Sequence, residues 1–151
     1  VNPAFPKYQL TGVFNLELAR LYYYLFQKTE TQFTILYALD GYDEISLTGG
    51  TKAFSNHGEL LLNPEDFGVT PHDASTISGG ETVESSAAIF MDILQNKGSK
   101  EQQNVVCANA GMALATALDL SPLEGFEKAK IALESGKALT AFKTLQQFSQ
   151  S

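Results

Sequence analysis

The uncharged run "QFTILYA" at residues 32–38 limits the possible folds more than any other segment. It is as long as a strand and does not alternate between apolar and polar residues, as expected of a parallel strand covered on both faces. Upstream, "YQLTGVF" at 8–14 alternates loosely and is rich in β-formers, which predicts a second short strand. Between the two, Asn15 can cap a helix with Glu17 in its first turn, and Leu18, Leu21, Tyr22, Leu25 and Phe26 recur at helical spacing. Strand, helix and strand in this order form a βαβ unit, which predicts neighbouring parallel strands joined by a right-handed crossover.

The β character then weakens. "TKAF" and "ELLL" flank "SNHG", whose Asn and Gly suggest a hairpin turn, while "NPEDFG" reads as a turn or a single helical turn. Residues 70–80 are polar and Gly-rich and read as a loop. From residue 81 the period is helical, with Val83, Ala87, Phe90 and Leu94 on one face and Gly98 as the stop. Ser99 and Gln102 have capping-box spacing and open a helix over 100–118 that is rich in Ala and Gly, so it can approach a neighbour closely. Ser121, Pro122 and Glu124 start another helix, Ser135-Gly136 ends it, and Leu139, Phe142, Leu145 and Phe148 stripe the last one. The expected fold is α/β, a partly parallel sheet with flanking helices and a helical C-terminal half. It forms one domain without an internal repeat or a linker.

Charge and cysteine content narrow the function classes. A net charge of −7 argues against nucleic-acid and anionic-membrane surfaces. No apolar run is long enough to span a bilayer. Arg20 is the single arginine beside nine lysines, which leaves few guanidinium forks for a phosphate-rich ligand. One cysteine, Cys107, excludes an intrachain disulfide and fits a reducing, cytoplasmic setting; its Ala-rich surroundings predict a buried, inert thiol. The chain opens "VNPAF" without Met, which reads as the middle of a longer protein or as an expression boundary.

Asp43-Glu44 is the candidate site. An adjacent acidic pair in a turn-rich loop is ordinarily a solvated turn. This pair, however, follows a predicted buried strand, and ligands of open α/β sheets collect at the carboxyl ends of strands. Hard oxygen donors of this kind suit Mg²⁺, which takes one or two carboxylates and leaves the other positions to water and substrate phosphates. "TGGT" at 48–51 lacks the Lys of a phosphate loop and no helix follows it, so it reads as a turn. In "SGGETVES", Glu81 and Glu84 would repel an anion and instead complement a helix dipole. His57 and His72 have no ligand-spaced partner, and Glu65-Asp66 suits a turn-plus-cap role.

The segments "GVFNLELARLYYYLFQ", "DGYDEISLTGGT", "LNPEDFG", "GGETVESSAAIF" and "NVVCANAGMALA" occur in this order and spacing. Together they resemble the C-terminal part of anthranilate phosphoribosyltransferases over essentially the whole chain. The resemblance implies the C-terminal part of a nucleoside phosphorylase/phosphoribosyltransferase-type α/β domain across residues 1–151. It also implies transfer of a phosphoribosyl group from phosphoribosyl pyrophosphate to anthranilate, with pyrophosphate leaving and Mg²⁺ assisting, in tryptophan biosynthesis. Within the family's Asp-Gly-Leu-Asp-Glu motif the acidic pair helps to hold Mg²⁺, a role that falls on Asp43 and Glu44. Where the family often has a polar pair before this loop, the chain has Ala38-Leu39, and Gly50 stands where Pro is common.

The family's Gly-Thr-Gly-Gly-Asp phosphate loop, Lys-His-Gly segment and anthranilate-contacting Arg lie upstream of the matched region. By this resemblance the 151 residues alone are expected to be inactive, and the family's homodimer would form through an N-terminal helical domain outside them. Self-association of these residues alone would then be non-native and driven by exposed apolar surface. Two other readings share the architecture. One is a non-catalytic, nucleic-acid-binding relative. The other is a pyrimidine nucleoside phosphorylase, which would use phosphate and need no Mg²⁺.

Overall fold

The computed structural model describes residues 6–149. Strand β1 (Tyr8–Gly12) leads through helix α1 (Leu16–Phe26) to strand β2 (Gln32–Ala38), and the two strands pair in parallel with Tyr8 opposite Gln32 and Gly12 opposite Leu36. The expected βαβ unit is therefore present. Strands β3 (Thr51–Ser55) and β4 (Gly58–Leu62) form the hairpin read from "SNHG", with Gly58 in the left-handed region at φ 109°. Strand β3 runs antiparallel to β2, so the sheet is mixed, in the order β1-β2-β3-β4. A 3-10 turn at Pro64–Phe67 and a second at Ala74–Ile77 lead to helices α2 (Val83–Leu94), α3 (Lys100–Leu118), α4 (Pro122–Glu134) and α5 (Lys137–Ser149).

The lack of alternation in β2 now has a cause. Phe33 and Ile35 pack with Val13, Ala19, Phe26 and Phe54 in a cluster under α1. Leu36 joins the larger cluster on the other side, with Leu62, Phe67, Ala108, Met112 and Phe126. Thr34 accepts a hydrogen bond from Thr116 of α3 at 2.8 Å on that side. Both faces of β2 are thus covered, and both need apolar residues.

The helix starts follow the local signals. Asn15 Oδ1 accepts from the Leu18 amide at 2.7 Å. Ser99 and Gln102 form a reciprocal capping box, as do Ser121 and Glu124. Ser99→Ala removes the acceptor for the Gln102 amide and is expected to cost about 1 kcal/mol. For a chain of this size that is a melting-temperature drop of roughly 2–4 °C, readable by calorimetry.

Two expected helix faces differ from the structure. Helix α1 buries Ala19 and Phe26, whereas Leu21 and Leu25 are 61% and 48% exposed. The helix carries two adjoining apolar stripes, and the sheet takes the one with the small Ala19, which permits closer approach. In α2, Val83 is 82% exposed and Ala87 is also exposed; Ile93 and Leu94 are the buried residues. This helix ends at Leu94 rather than near Gly98, because Asn96 turns into the left-handed region at φ 60°. Asn96 Nδ2 then caps the end of α4 by donating to Leu133 O at 3.2 Å. Gly98 is still required, since a Cβ there would lie 2.8 Å from the Ile93 side chain. On α5, Leu139 and Phe142 are half-buried, while Leu145 and Phe148 are exposed.

Helices α3 and α4 meet through their glycines. A Cβ on Gly125 would stand 2.2 Å from Gly111 O, and one on Gly111 would stand 2.6 Å from the Phe126 amide nitrogen. The close approach expected of the small-residue helix is realised by these two backbones. Among the described residues no single helix is long and apolar enough to cross a membrane.

Candidate functional site

The chain leaves β2 at Ala38 and returns to the sheet at Thr51, and the loop between them carries Asp43 and Glu44. The closing bonds are local: Leu39 N donates to Gly50 O at 2.9 Å, and Gly41 takes a left-handed φ of 94°. Asp40 folds back on its own loop, where its carboxylate accepts from Ser46 Oγ at 2.7 Å and from Thr48 Oγ1. Partial burial pushes the Asp40 carboxyl up, but the bonds from Thr48, Ser46 and nearby backbone outweigh it and hold the group below the usual carboxylate range.

Three further contacts fix the acidic pair from outside the loop. Ile45 N donates to Asn109 Oδ1 at 3.0 Å, and Asn109 Nδ2 donates back to Ile45 O at 2.8 Å. Ile45 and Leu47 are buried in the main core. At the end of β1, a Cβ on Gly12 would lie 1.9 Å from Asp43 O, so only glycine lets the strand end and the loop touch. The result is that Asp43 and Glu44 stand exposed beside the carboxyl ends of the parallel pair β1 and β2, and among the described residues neither side chain is hydrogen-bonded or ion-paired.

The remaining candidates are scattered. His57 sits at the hairpin turn, 3.2 Å from Asp119, with both side chains largely exposed. His72 Nε2 lies 3.3 Å from Asn104 Nδ2. Asp66 accepts from the Asn63 amide at 2.7 Å in the expected capping role. Cys107 is buried, and burial, with Glu134 nearby, pushes its thiol up to about 11, so it stays protonated at neutral pH. Among the described residues no three His, Cys, Asp or Glu side chains converge as a metal cage. The oxygen donors of Asp43 and Glu44 fit Mg²⁺ as a partial ligand set, with water and a phosphate-bearing ligand supplying the rest.

Sequence reasoning missed Asp40, Gly12 and Asn109. The first two lie in segments read only as strand end and turn. Asn109 left a visible trace as the one amide within the apolar stretch 105–115 of α3.

The profile of the glycosyl transferase family, a/b domain, matches residues 1–139, and the chain belongs to this family. It is 61% identical over 151 residues to the anthranilate phosphoribosyltransferase of Christiangramia forsetii, covering 100% of this chain and 46% of that protein. It is 60% identical over 149 residues to the enzyme of the same name from Flavobacterium psychrophilum, covering 99% of this chain and 45% of that one. The chain thus spans about half the length of the curated relatives it matches. In three dimensions it superposes on anthranilate phosphoribosyltransferase from Thermus thermophilus with a TM-score of 0.84 at 23% identity, over 93% of this chain and 42% of that one. The Saccharomyces cerevisiae enzyme in complex with PRPP and Mg gives a TM-score of 0.80 at 22% identity, over 91% and 40%. At these identities the structural likeness speaks for the fold, an α/β sheet with flanking helices.

Proposed function

We propose that the chain is the C-terminal part of the α/β domain of an anthranilate phosphoribosyltransferase. The whole enzyme moves the phosphoribosyl group of phosphoribosyl pyrophosphate onto the amine of anthranilate and releases pyrophosphate, a step of tryptophan biosynthesis. The observation that carries this reading is 61% identity to an enzyme of that name along the full 151 residues. The position of Asp43 and Glu44 at the carboxyl ends of a parallel strand pair agrees with it.

Asp43 and Glu44 would hold Mg²⁺, directly or through water, and their exposure leaves room beside them for a diphosphate. Mg²⁺, when bound, offsets negative charge as it grows on the departing pyrophosphate. The loop bonds of Asp40 keep the two carboxylates aimed outward. Arg20, the single arginine, lies on α1, so most of the grip on phosphate and on anthranilate comes from residues beyond these 151. The reading carries with it a cytoplasmic homodimer joined through a separate helical domain, with no nucleic-acid or membrane partner.

The test is a chimera in which these 151 residues replace the matching segment of the Christiangramia forsetii enzyme. Loss of anthranilate fluorescence with phosphoribosyl pyrophosphate and Mg²⁺ is the expected result, with no turnover by the 151 residues alone. A folded chimera that leaves anthranilate untouched, or that cleaves pyrimidine nucleosides with phosphate and without Mg²⁺, overturns the reading. Salt-sensitive DNA binding by an inactive chimera would point to the nucleic-acid-binding relative instead.

A further inference from the structure

We propose that Asn109 of α3 is a positioning residue for the acidic pair, acting through the backbone of Ile45. This rests on the transferase reading above for what the pair binds, but the geometry stands by itself. The Asn109 carboxamide meets Ile45 as a neighbouring strand would, accepting from its N–H at 3.0 Å and donating to its C=O at 2.8 Å. The second amide hydrogen is used as well, donating to Val105 O at 2.9 Å one turn back along α3. With oxygen and nitrogen both committed, the amide cannot flip without losing every bond. Ile45 follows Glu44 directly, so the peptide that Asn109 fastens is adjacent to the one that carries the carboxylate. On the other side, the Asp43 carbonyl lies against Gly12 at the end of β1.

No other side chain at position 109 reproduces the clamp. Asp can accept but not donate, Ala does neither, and Gln carries its amide one methylene too far. A purely structural amide would satisfy the buried Ile45 peptide and affect stability alone. A positioning amide also sets metal affinity.

The experiment separates these. In the 151-residue chain, Asn109→Ala is compared with Met112→Ala, which opens a cavity in the main core that Ile45 and Leu47 share but removes no hydrogen bond to the loop. Amide exchange at Ile45 and the Mn²⁺ concentration that half-broadens the Asp43 and Glu44 resonances are measured by NMR. Asn109→Ala is expected to speed Ile45 exchange and to raise the Mn²⁺ midpoint, each by about tenfold, the scale of losing a pair of hydrogen bonds. Met112→Ala is expected to lower the melting temperature and leave the Mn²⁺ midpoint in place. A wild-type midpoint in Asn109→Ala, an equal shift in Met112→Ala, or no broadening of the pair in the wild-type chain overturns the inference.

The chimera adds the distinction from the parent reading. An inactive wild-type chimera together with the Mn²⁺ shift sinks the transferase reading and supports the clamp. An active chimera whose Mg²⁺ dependence ignores Asn109→Ala sinks the clamp and keeps the transferase.

Discussion

Exchanging Asp43 for Asn and Glu44 for Gln together is expected to leave the fold standing and to slow phosphoribosyl transfer by the chimera by roughly tenfold or more. The fold should stand because both side chains are exposed and, among the described residues, unbonded. What holds the loop is elsewhere: the Asp40 bonds to Ser46 and Thr48, and the Ile45 bonds to Asn109. The rate should fall because amides keep the shape of the carboxylates and discard their charge, leaving the cation poorly held where the leaving group becomes more anionic. An interaction that strengthens as the bond to the sugar breaks acts on the transition state more than on the ground state. The measurement is initial rate against Mg²⁺ concentration, in which the double variant should need more Mg²⁺ and reach a lower plateau. A wild-type curve would return the pair to a solvated turn.

The second large effect concerns stability. Gly125→Ala should improve the intrinsic helix propensity of α4 by about 1 kcal/mol. It is nevertheless expected to destabilise the chain by about 2 kcal/mol net, a melting-temperature loss of roughly 4–8 °C, because overpacking costs more than the propensity returns. The added methyl would lie 2.2 Å from Gly111 O and 2.9 Å from Gly111 C, both backbone atoms of a helix that cannot rotate aside. Relief requires moving α3 away from α4, which strips contacts from Met112, Ala115, Phe126 and Ala129 in the main core. Thermal and denaturant unfolding read the sign directly, and a stabilised Gly125→Ala chain would mean that the two helices separate without cost.

These two predictions also mark what was legible in the sequence. The βαβ unit showed because β2 is apolar on both faces, and the caps at Asn15, Ser99 and Ser121 showed because a cap and its partner lie within three residues. The hidden part was which stripe of a helix faces inward. In α1 the stripe with Leu21 and Leu25 is at least as apolar as the one with Ala19 and Phe26, and the sheet decides between them. In α2 the early stop at Asn96 depends on the end of α4 that its side chain caps. Asp43 and Glu44 drew notice from their place after a buried strand, and the structure sets both exposed in the loop that follows β2. The partner of Asn109 was hidden, because its bonds to Ile45 cross 64 residues of chain and exist only once α3 has docked.

That span matters while the polypeptide is being made. The peptide around Ile45 leaves the ribosome long before its partner on α3, and at about 5–20 residues per second the 64 intervening residues take roughly 3–13 s to follow. The bond from Thr116 to Thr34 spans 82 residues and waits longer still. Contacts of this separation bear a high closure entropy and form late. The acid-bearing loop therefore cannot take its final shape until α3 has emerged, and early chain termination anywhere before Asn109 would yield the sheet residues with the loop unfastened.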